Sequence, residues 1–546
     1  MSLKTRLLAV VGGFAAFALS GCGPSEAPRD DGDVSGVEEI ASPLTALATT
    51  PTFATGTLTV TLASAETAII SKHAVSGNIL VNDVFVAGAT STAVKNVAIT
   101  GAAGAETVII DFANGTFAPG TVTAPGITVA MGAGADVFKL RGVGASGDTI
   151  TVGGTALAMN IAFNVDAYKD ITVTGSGSVA KTFSLGGGAD VFNALSGAYG
   201  TGGAAFTGNL TVYGGLGDDT LTGGDGNDTF YGDLGNDTMN GGTINSDGDV
   251  YNGGGGTADV VTSAARSAAL TITVGAGAAD GETATETDDI KVDVEIVRGG
   301  TGNDTFTGEA GAQTFYGGAG NDTFDMGLLA STGAGADTVY GEAGTDTVTY
   351  ASRLELVVVT MDLNVANDGN TAEGDNVHDD VENFICPTGA VVCTVTGNGA
   401  DNTITGGAGA DVLAGGAGDD TFVMGATAGI GAGADTISGG VGVDTVTFAS
   451  YGAVITVTMS GVASQASKVI GLDVENLTCP TASACTVTGN VSANRIVGSS
   501  AADTINGSDG DDFIETAGGN DIVDCGDGSD ILYFTSGTPV PTACEL

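Results

Sequence analysis

Along most of the chain, single large apolar residues alternate with small polar ones for three to five positions, and glycine-rich stretches separate these words. Thr220-Leu221-Thr222, Thr229-Phe230-Tyr231 and Thr238-Met239-Asn240 each set one large residue between two that suit a solvated face. A period of two over so few residues predicts short strands, each with one inward side chain. Helical periodicity and helix caps are scarce. The glycines between the words predict tight turns, where positive φ and a missing Cβ are needed. The pattern therefore predicts an all-β chain.

The words recur in register. From Gly214 the sequence reads GGLGDDTLT, GGDGNDTFY, GDLGNDTMN, and similar nonapeptides return at Gly299, at Gly406 and near the C-terminus as GSDGDDFIE and CGDGSDILY. The shared pattern is G-G-x-G-x-D-x-U-x, with U a large apolar residue. Two nonapeptides make one coil of two strands, so residues 18 apart stack at one strand spacing, roughly 4.8 Å. Asp219 and Asp237 form such a pair, as do Asp304 and Asp322, Asp503 and Asp521, and Asp512 and Asp530. Stacked carboxylates repel unless a cation lies between them. Carboxylate and carbonyl oxygens suit a hard ion such as Ca2+ better than zinc or copper.

Charge sharpens this reading. The 546 residues include 15 Lys+Arg and 64 Asp+Glu, a formal net charge of −49. Such a chain does not track nucleic acid or an anionic membrane surface by electrostatics. With 42% hydrophobic and 14% charged residues it is not disordered throughout. Its own basic residues are too few to neutralise the carboxylates, so the cation comes from solution.

The tandem words closely resemble the hemolysin-type calcium-binding repeat of the repeats-in-toxin (RTX) family. The resemblance spans most of residues 214–546 and implies a right-handed parallel β-roll with calcium between neighbouring turns. The residues at the aspartate position, and so the implied calcium ligands, are Asp219, Asp228, Asp237, Asp249, Asp304, Asp322, Asp337, Asp346, Asp411, Asp420, Asp435, Asp444, Asp503, Asp512, Asp521 and Asp530. MGAGADVFK around Asp136 and LGGGADVFN around Asp190 carry half of the motif, and GAAGAETVI has Glu106 in its place. For these, cation binding and a purely structural Asx turn both stand. Asp259, in GGGGTAD, lies one residue out of register. Gln313, Asn402 and Asn494 lack the carboxylate, so their coils are expected to bind weakly or not at all.

A longer repeat contains the shorter one. Asp322, Asp337 and Asp346 recur 98 residues on as Asp420, Asp435 and Asp444. DTVTYAS and DTVTFAS follow suit, then DVENFICPT and DVENLTCPT, then CTVTGN twice. These segments read as strands and an outward loop between calcium-binding blocks, with the VEN strand returning the chain to the stack. The acidic stretch 367–380 is expected to be the exposed, solvated part. The blocks fall at 214–298, 299–396, 397–488 and 489–546. Residues 51–213 hold looser strand words and read as an irregular parallel β-helix, with a separate β-sandwich as the alternative.

The N-terminus reads as an address. Lys4 and Arg6 precede an apolar run, Leu7 to Leu19, too short for a comfortable membrane span. It ends in Leu19-Ser20-Gly21-Cys22, which resembles the lipobox of bacterial lipoproteins. That resemblance implies a signal peptide over 1–21, a lipid on Cys22 and, with Gly23 rather than Asp next, an outer-membrane or surface location. Residues 22–50 read as a flexible tether. The other six cysteines fall into close pairs, Cys386-Cys393, Cys479-Cys485 and Cys525-Cys544, and read as disulfides in an oxidising compartment. There is no HExxH and no GxSxG. The expectation is a non-enzymatic, calcium-binding surface solenoid with a structural or adhesive role toward a glycan or protein ligand. A carbohydrate-active enzyme and a released toxin are the alternatives. The aromatic fraction of 5%, with no Trp, weakens the former.

Overall fold

Each short word forms a strand with its central residue inside. In the computed structural model, Thr220–Thr222, Thr229–Leu234 and Thr238–Asn240 fully bury Leu221, Phe230 and Met239. Burial of such a side chain contributes about 1.5–3 kcal/mol. Successive coils stack these residues on one another, as where Phe306 lies over Phe324 with ring centroids 5.0 Å apart. The structure describes residues 46–544 except 119–124, 143–146, 164–169, 196–204, 243–247, 276, 278–279, 282–285, 309–310, 327–334, 363–365, 371–372, 426–432, 462–467 and 536. The apolar N-terminal run, Cys22 and most of the expected tether lie outside the described residues.

In the repeat blocks pairing is parallel and one coil deep; before them, Ala158–Phe163 lies antiparallel between Thr149–Thr155 and Ile171–Gly175. Thr220 pairs with Thr238, Thr211 with Thr229 and Thr504 with Ile522, the 18-residue register that the nonapeptides imply. Among the described residues every regular element is a strand. The strands build sheets of 15, 10, 12, 5 and 5 members around one continuous apolar core. The 10-stranded sheet ends at Asp289–Ile290, and the 12-stranded sheet starts at Thr271–Thr273. The 15-stranded sheet then ends at Asn376–Val377, while a five-stranded sheet has begun at Val357–Thr360. That sheet ends at Val469–Ile470, after the last one has begun at Ile455–Thr458. One wall of the solenoid is thus replaced at a time.

The sheets run through residue 214 without a break. Ala135–Arg141 pairs with Ser178–Gly187, which pairs with Thr211–Leu216, all parallel. Coils before that point are longer, since Val97 pairs with Ile127. Antiparallel strands occupy the N-terminal edge of both walls: Thr52–Ala54 on Thr57–Thr61, and Asn78–Val81 between Thr67–Lys72 and Val84–Thr90.

Each wall replacement accompanies an excursion of the chain, and one of these departs from expectation. The acidic stretch within 367–380 is not a solvated face. Asp368 and Asp375 are each 1% exposed and Val377 is fully buried. Residues inside the fold make this possible. Arg353 donates to both oxygens of Glu373 and to Met326 O, and the Tyr350 hydroxyl donates to Asp375 Oδ2 at 2.7 Å. Thr360 N and Val377 N both donate to Asp368, 2.7 Å each. The VEN words do return the chain to the stack, with Asn383–Ile385 pairing in parallel with Thr347–Thr349.

Candidate metal centres

The sixth residue of each glycine-rich turn lies immediately before a strand, and these residues form ladders along the stack. Within a row, the backbone N–H donates to a carboxylate oxygen of the counterpart one coil on. Asp219 donates to Asp237 at 2.8 Å, Asp322 to Asp346 at 2.7 Å, Asp420 to Asp444 at 2.8 Å and Asp503 to Asp521 at 2.9 Å. One oxygen of each carboxylate is thereby fixed, and the other is aimed into the space between coils.

Second oxygens divide the expected ligands into two groups. Oδ2 is buried without a hydrogen-bond partner in Asp136, Asp190, Asp219, Asp237, Asp259, Asp322, Asp346, Asp420, Asp444, Asp512, Asp521 and Asp530. An unpaired buried carboxylate oxygen is costly enough that it marks a missing partner. The turn backbone adds further oxygens. A Cβ on Gly235 would lie 1.9 Å from Gly217 O, and on Gly320 2.0 Å from Gly302 O, so these carbonyls point straight up the stack. A Cβ on Gly214 would meet Asp219 Oδ2 at 2.4 Å and Gly232 O at 2.8 Å. Carboxylate and carbonyl oxygens converge there, a donor set that fits Ca2+. Among the described residues no three Asp, Glu, His or Cys side chains gather as a metal cluster, so carbonyls would complete the shell.

Electrostatics point the same way. Burial first, then neighbouring carboxylates, push Asp219 up to about 8, Asp237 and Asp346 to about 7, and Asp322, Asp420 and Asp512 to about 6. Metal-free, Asp219 holds its proton near neutrality, Asp237 and Asp346 are about half protonated there, and the other three give theirs up only a little below it. A bound cation does the same neutralising work with more charge.

Of the remaining expected ligands, all but Asp337 have a partner for the second oxygen. Asp228, Asp304, Asp411 and Asp503 each begin a row of carboxylates, one coil above Leu210, Leu270, Cys393 and Cys485. Their Oδ2 atoms accept from Gly224, Gly300, Gly407 and Ser499 N at 2.6–2.9 Å, the Asx-type turn of the structural alternative. Tyr251 OH donates to Asp249 Oδ2 at 3.3 Å. Lys468 Nζ lies 2.5 Å from Asp435 Oδ2. Asp337 N donates to Asp375 Oδ1, and burial and Asp375 raise Asp337 to about 8. Asp259 is in register after all: Asp237 N donates to its Oδ1 at 2.8 Å. The extra residue is absorbed in the turn, where Thr257 N reaches Asn236 Oδ1.

Several ladder members escaped the sequence pattern. Glu295, Glu382 and Glu475, from the three VE words, accept from Asp259, Asp346 and Asp444 N at 2.8, 2.8 and 2.9 Å. The recurrence of Asp-Val-Glu was the available signal. Asp288 continues the ladder above Asp249, without any glycine word to announce it. The fifth residue, an unspecified x, makes its own exposed ladder, as where Asn236 N donates to Asp218 Oδ1 and Asn321 N to Asn303 Oδ1, both at 2.9 Å.

Two coils are closed by other means. The Cys386–Cys393 disulfide spans one turn, and Cys479–Cys485 the equivalent turn later. A Cβ on Gly407 would meet Pro387 O at 2.1 Å, so the stapled turn stacks like the glycine turns. On the opposite wall, Asn398 Nδ2 donates to Asp379 O and Val381 O, and Asn490 Nδ2 to Leu472 O and Val474 O. An amide there gathers carbonyls of the coil below. Asn402 and Asn494 donate their own amides to Asn398 and Asn490, so these turns are complete without a cation. Cys525–Cys544 ties the last two coils together.

The repeat family described as RTX calcium-binding nonapeptide repeat (4 copies) matches residues 211–243, 293–324, 330–352, 394–426, 431–449, 488–523 and 497–532. No curated protein matches the chain. The protein carries RTX calcium-binding repeats in multiple copies, folded as a parallel β-roll.

Proposed function

We propose that this calcium-binding β-roll is an exported, lipid-anchored surface protein with a structural or adhesive role, whose coils close when calcium fills the turns. One observation carries the calcium dependence: carboxylate oxygens without partners recur coil after coil, each beside upward-pointing carbonyls. Extracellular calcium sites bind at about 10⁻⁴–10⁻³ M, so each adds little alone. Coupled along a stack, their contributions add up to a domain's net stability.

Three disulfides within the fold support export to an oxidising compartment. The lipobox-like Leu19-Ser20-Gly21-Cys22 supports the anchor. A scaffold suits the outward aromatic residues better than a sugar-cleaving site. Tyr213 stacks on Tyr231 with centroids 4.6 Å apart, and Arg298, Tyr316, Tyr340 and His378 form one column. Their flat faces cover one another, and sugar stacking needs a free face.

The test is far-UV circular dichroism of the purified protein during calcium titration, with magnesium as a control. Calcium is expected to induce the β spectrum cooperatively. An identical spectrum and melting temperature in excess chelator would overturn the proposal. Fractionation of cells making the Cys22→Ser variant tests the anchor, and unchanged membrane association would dismiss it. A glycan array paired with a polysaccharide hydrolysis screen separates adhesion from catalysis.

A further inference from the structure

We propose a calcium site N-terminal to all the matched repeats, between the turns that end in Glu106 and Asp136. It rests on the same reading of the repeat turns, but the coil here is 30 residues long and one ligand is a glutamate.

Both residues are 1% exposed. Glu106 N donates to Asp136 Oδ1 at 3.0 Å, the ladder bond of the repeats. Glu106 Oε1 accepts from Gly104 N at 3.2 Å. Glu106 Oε2 and Asp136 Oδ2 are buried with no partner. Among the described residues, neither carboxylate pairs with a basic side chain.

The backbone completes the cradle. A Cβ on Gly132 would lie 1.2 Å from Ala102 O, and on Gly134 2.0 Å from Gly104 O. These carbonyls leave the lower turn toward the upper one, as in the repeats. Two unpartnered carboxylate oxygens beside carbonyls make a hard, anionic pocket. Ca2+ tolerates such irregular oxygen shells, whereas Mg2+ demands a near-ideal octahedron.

The neighbouring coils show what the row looks like where no ion is needed. Glu66, in the preceding coil, has both oxygens satisfied, by Ala48 N at 2.5 Å and Ala63 N at 2.6 Å. In the following coil Val179 pairs with Asp136 and carries no charge. In this row the unsatisfied oxygens are confined to the two coils between.

The experiment counts bound calcium on the full chain by equilibrium dialysis after chelator stripping. Glu106→Gln with Asp136→Asn is expected to bind one ion fewer than wild type and to keep the repeat-block ions. Glu106→Lys places a cation against Asp136, as Lys468 does against Asp435, and is expected to fold and also to lose one ion. A folded variant of either kind that binds the wild-type number overturns the proposal. If wild type binds no calcium, the reading of the repeats fails first. Hydrogen exchange on wild type needs no variant: amides of 125–141 are expected to gain at least tenfold protection with calcium. No gain there, with gains in the repeat blocks, also overturns it.

Discussion

Lys468 holds the place in its row that a carboxylate holds in the coils before it, and its Nζ lies 2.5 Å from Asp435 Oδ2. Val469 N donates to Asp435 O just as Thr436 N donates to Asp411 O, so the register is unchanged and only the charge is reversed. The chain supplies its own cation at this step. Arg266 against Glu286 and Arg353 against Glu373 do so in the two earlier excursions.

Asp435→Asn and Asp444→Asn are therefore expected to behave differently. Asp435→Asn leaves Lys468 buried without its counter-ion, a loss of about 3–5 kcal/mol. The drop in melting temperature is expected to be the same at zero and millimolar calcium. Asp444→Asn is expected to lose stability mainly when calcium is present, because its Oδ2 has no partner within the protein. Melting curves of both variants with calcium and with chelator check this.

Acid is expected to replace calcium in part. The folded values of Asp219, Asp237 and Asp322 are raised to about 8, 7 and 6 from 3.8. The folded state then binds more protons than the unfolded state between those limits, so metal-free stability falls as pH rises. It is fully present below about pH 4 and is lost through pH 6–8. Melting of calcium-free protein from pH 4 to pH 8 should show a declining midpoint, while at pH 8 calcium restores it. A calcium-free midpoint that rises with pH would contradict the assignment.

The stapled and amide-closed coils are expected to seed the neighbouring blocks. Each short disulfide loop contributes about 2–3 kcal/mol, and each Asn398 or Asn490 amide bond about 1 kcal/mol. Reduction under native conditions, or Asn398→Gly with Asn490→Gly, is expected to raise the calcium concentration at half-folding. Titrations followed by circular dichroism measure the shift. An unmoved midpoint would show that folding starts elsewhere.

Gly320→Ala is expected to cost more than about 3 kcal/mol. Its φ is +126°, and the new Cβ would lie 2.0 Å from Gly302 O, a backbone atom that cannot step aside. Gly389→Ala, with open space around it, is expected to stay within about 0.5 kcal/mol of wild type. Chemical denaturation at fixed calcium compares them.

The coil, its register and the ladder positions were legible because each nonapeptide is a local rule: one inward residue, one turn, one aspartate. What a local rule leaves out is which partner each second oxygen meets. Asp228 and Asp237 sit in near-identical words. The residue one coil below decides that Asp228 caps its own turn and Asp237 does not, and that residue is Leu210 in one case and Asp219 in the other. Asp368 and Asp375 look solvated in the sequence because their acid-rich surroundings contain no hint of Arg353 or Tyr350, which pair with Glu373 and Asp375. Asp435, the carboxylate that Lys468 meets, lies 33 residues away in sequence.

The staggered replacement of the walls has a mechanical consequence. Where the 10-stranded sheet gives way, the 15-stranded sheet runs on, and where that ends the 12-stranded sheet carries through both later joints. The joints are offset as in brickwork. A pull along the stack meets no level at which both sides part together, so tension passes every seam through an unbroken ladder of backbone hydrogen bonds.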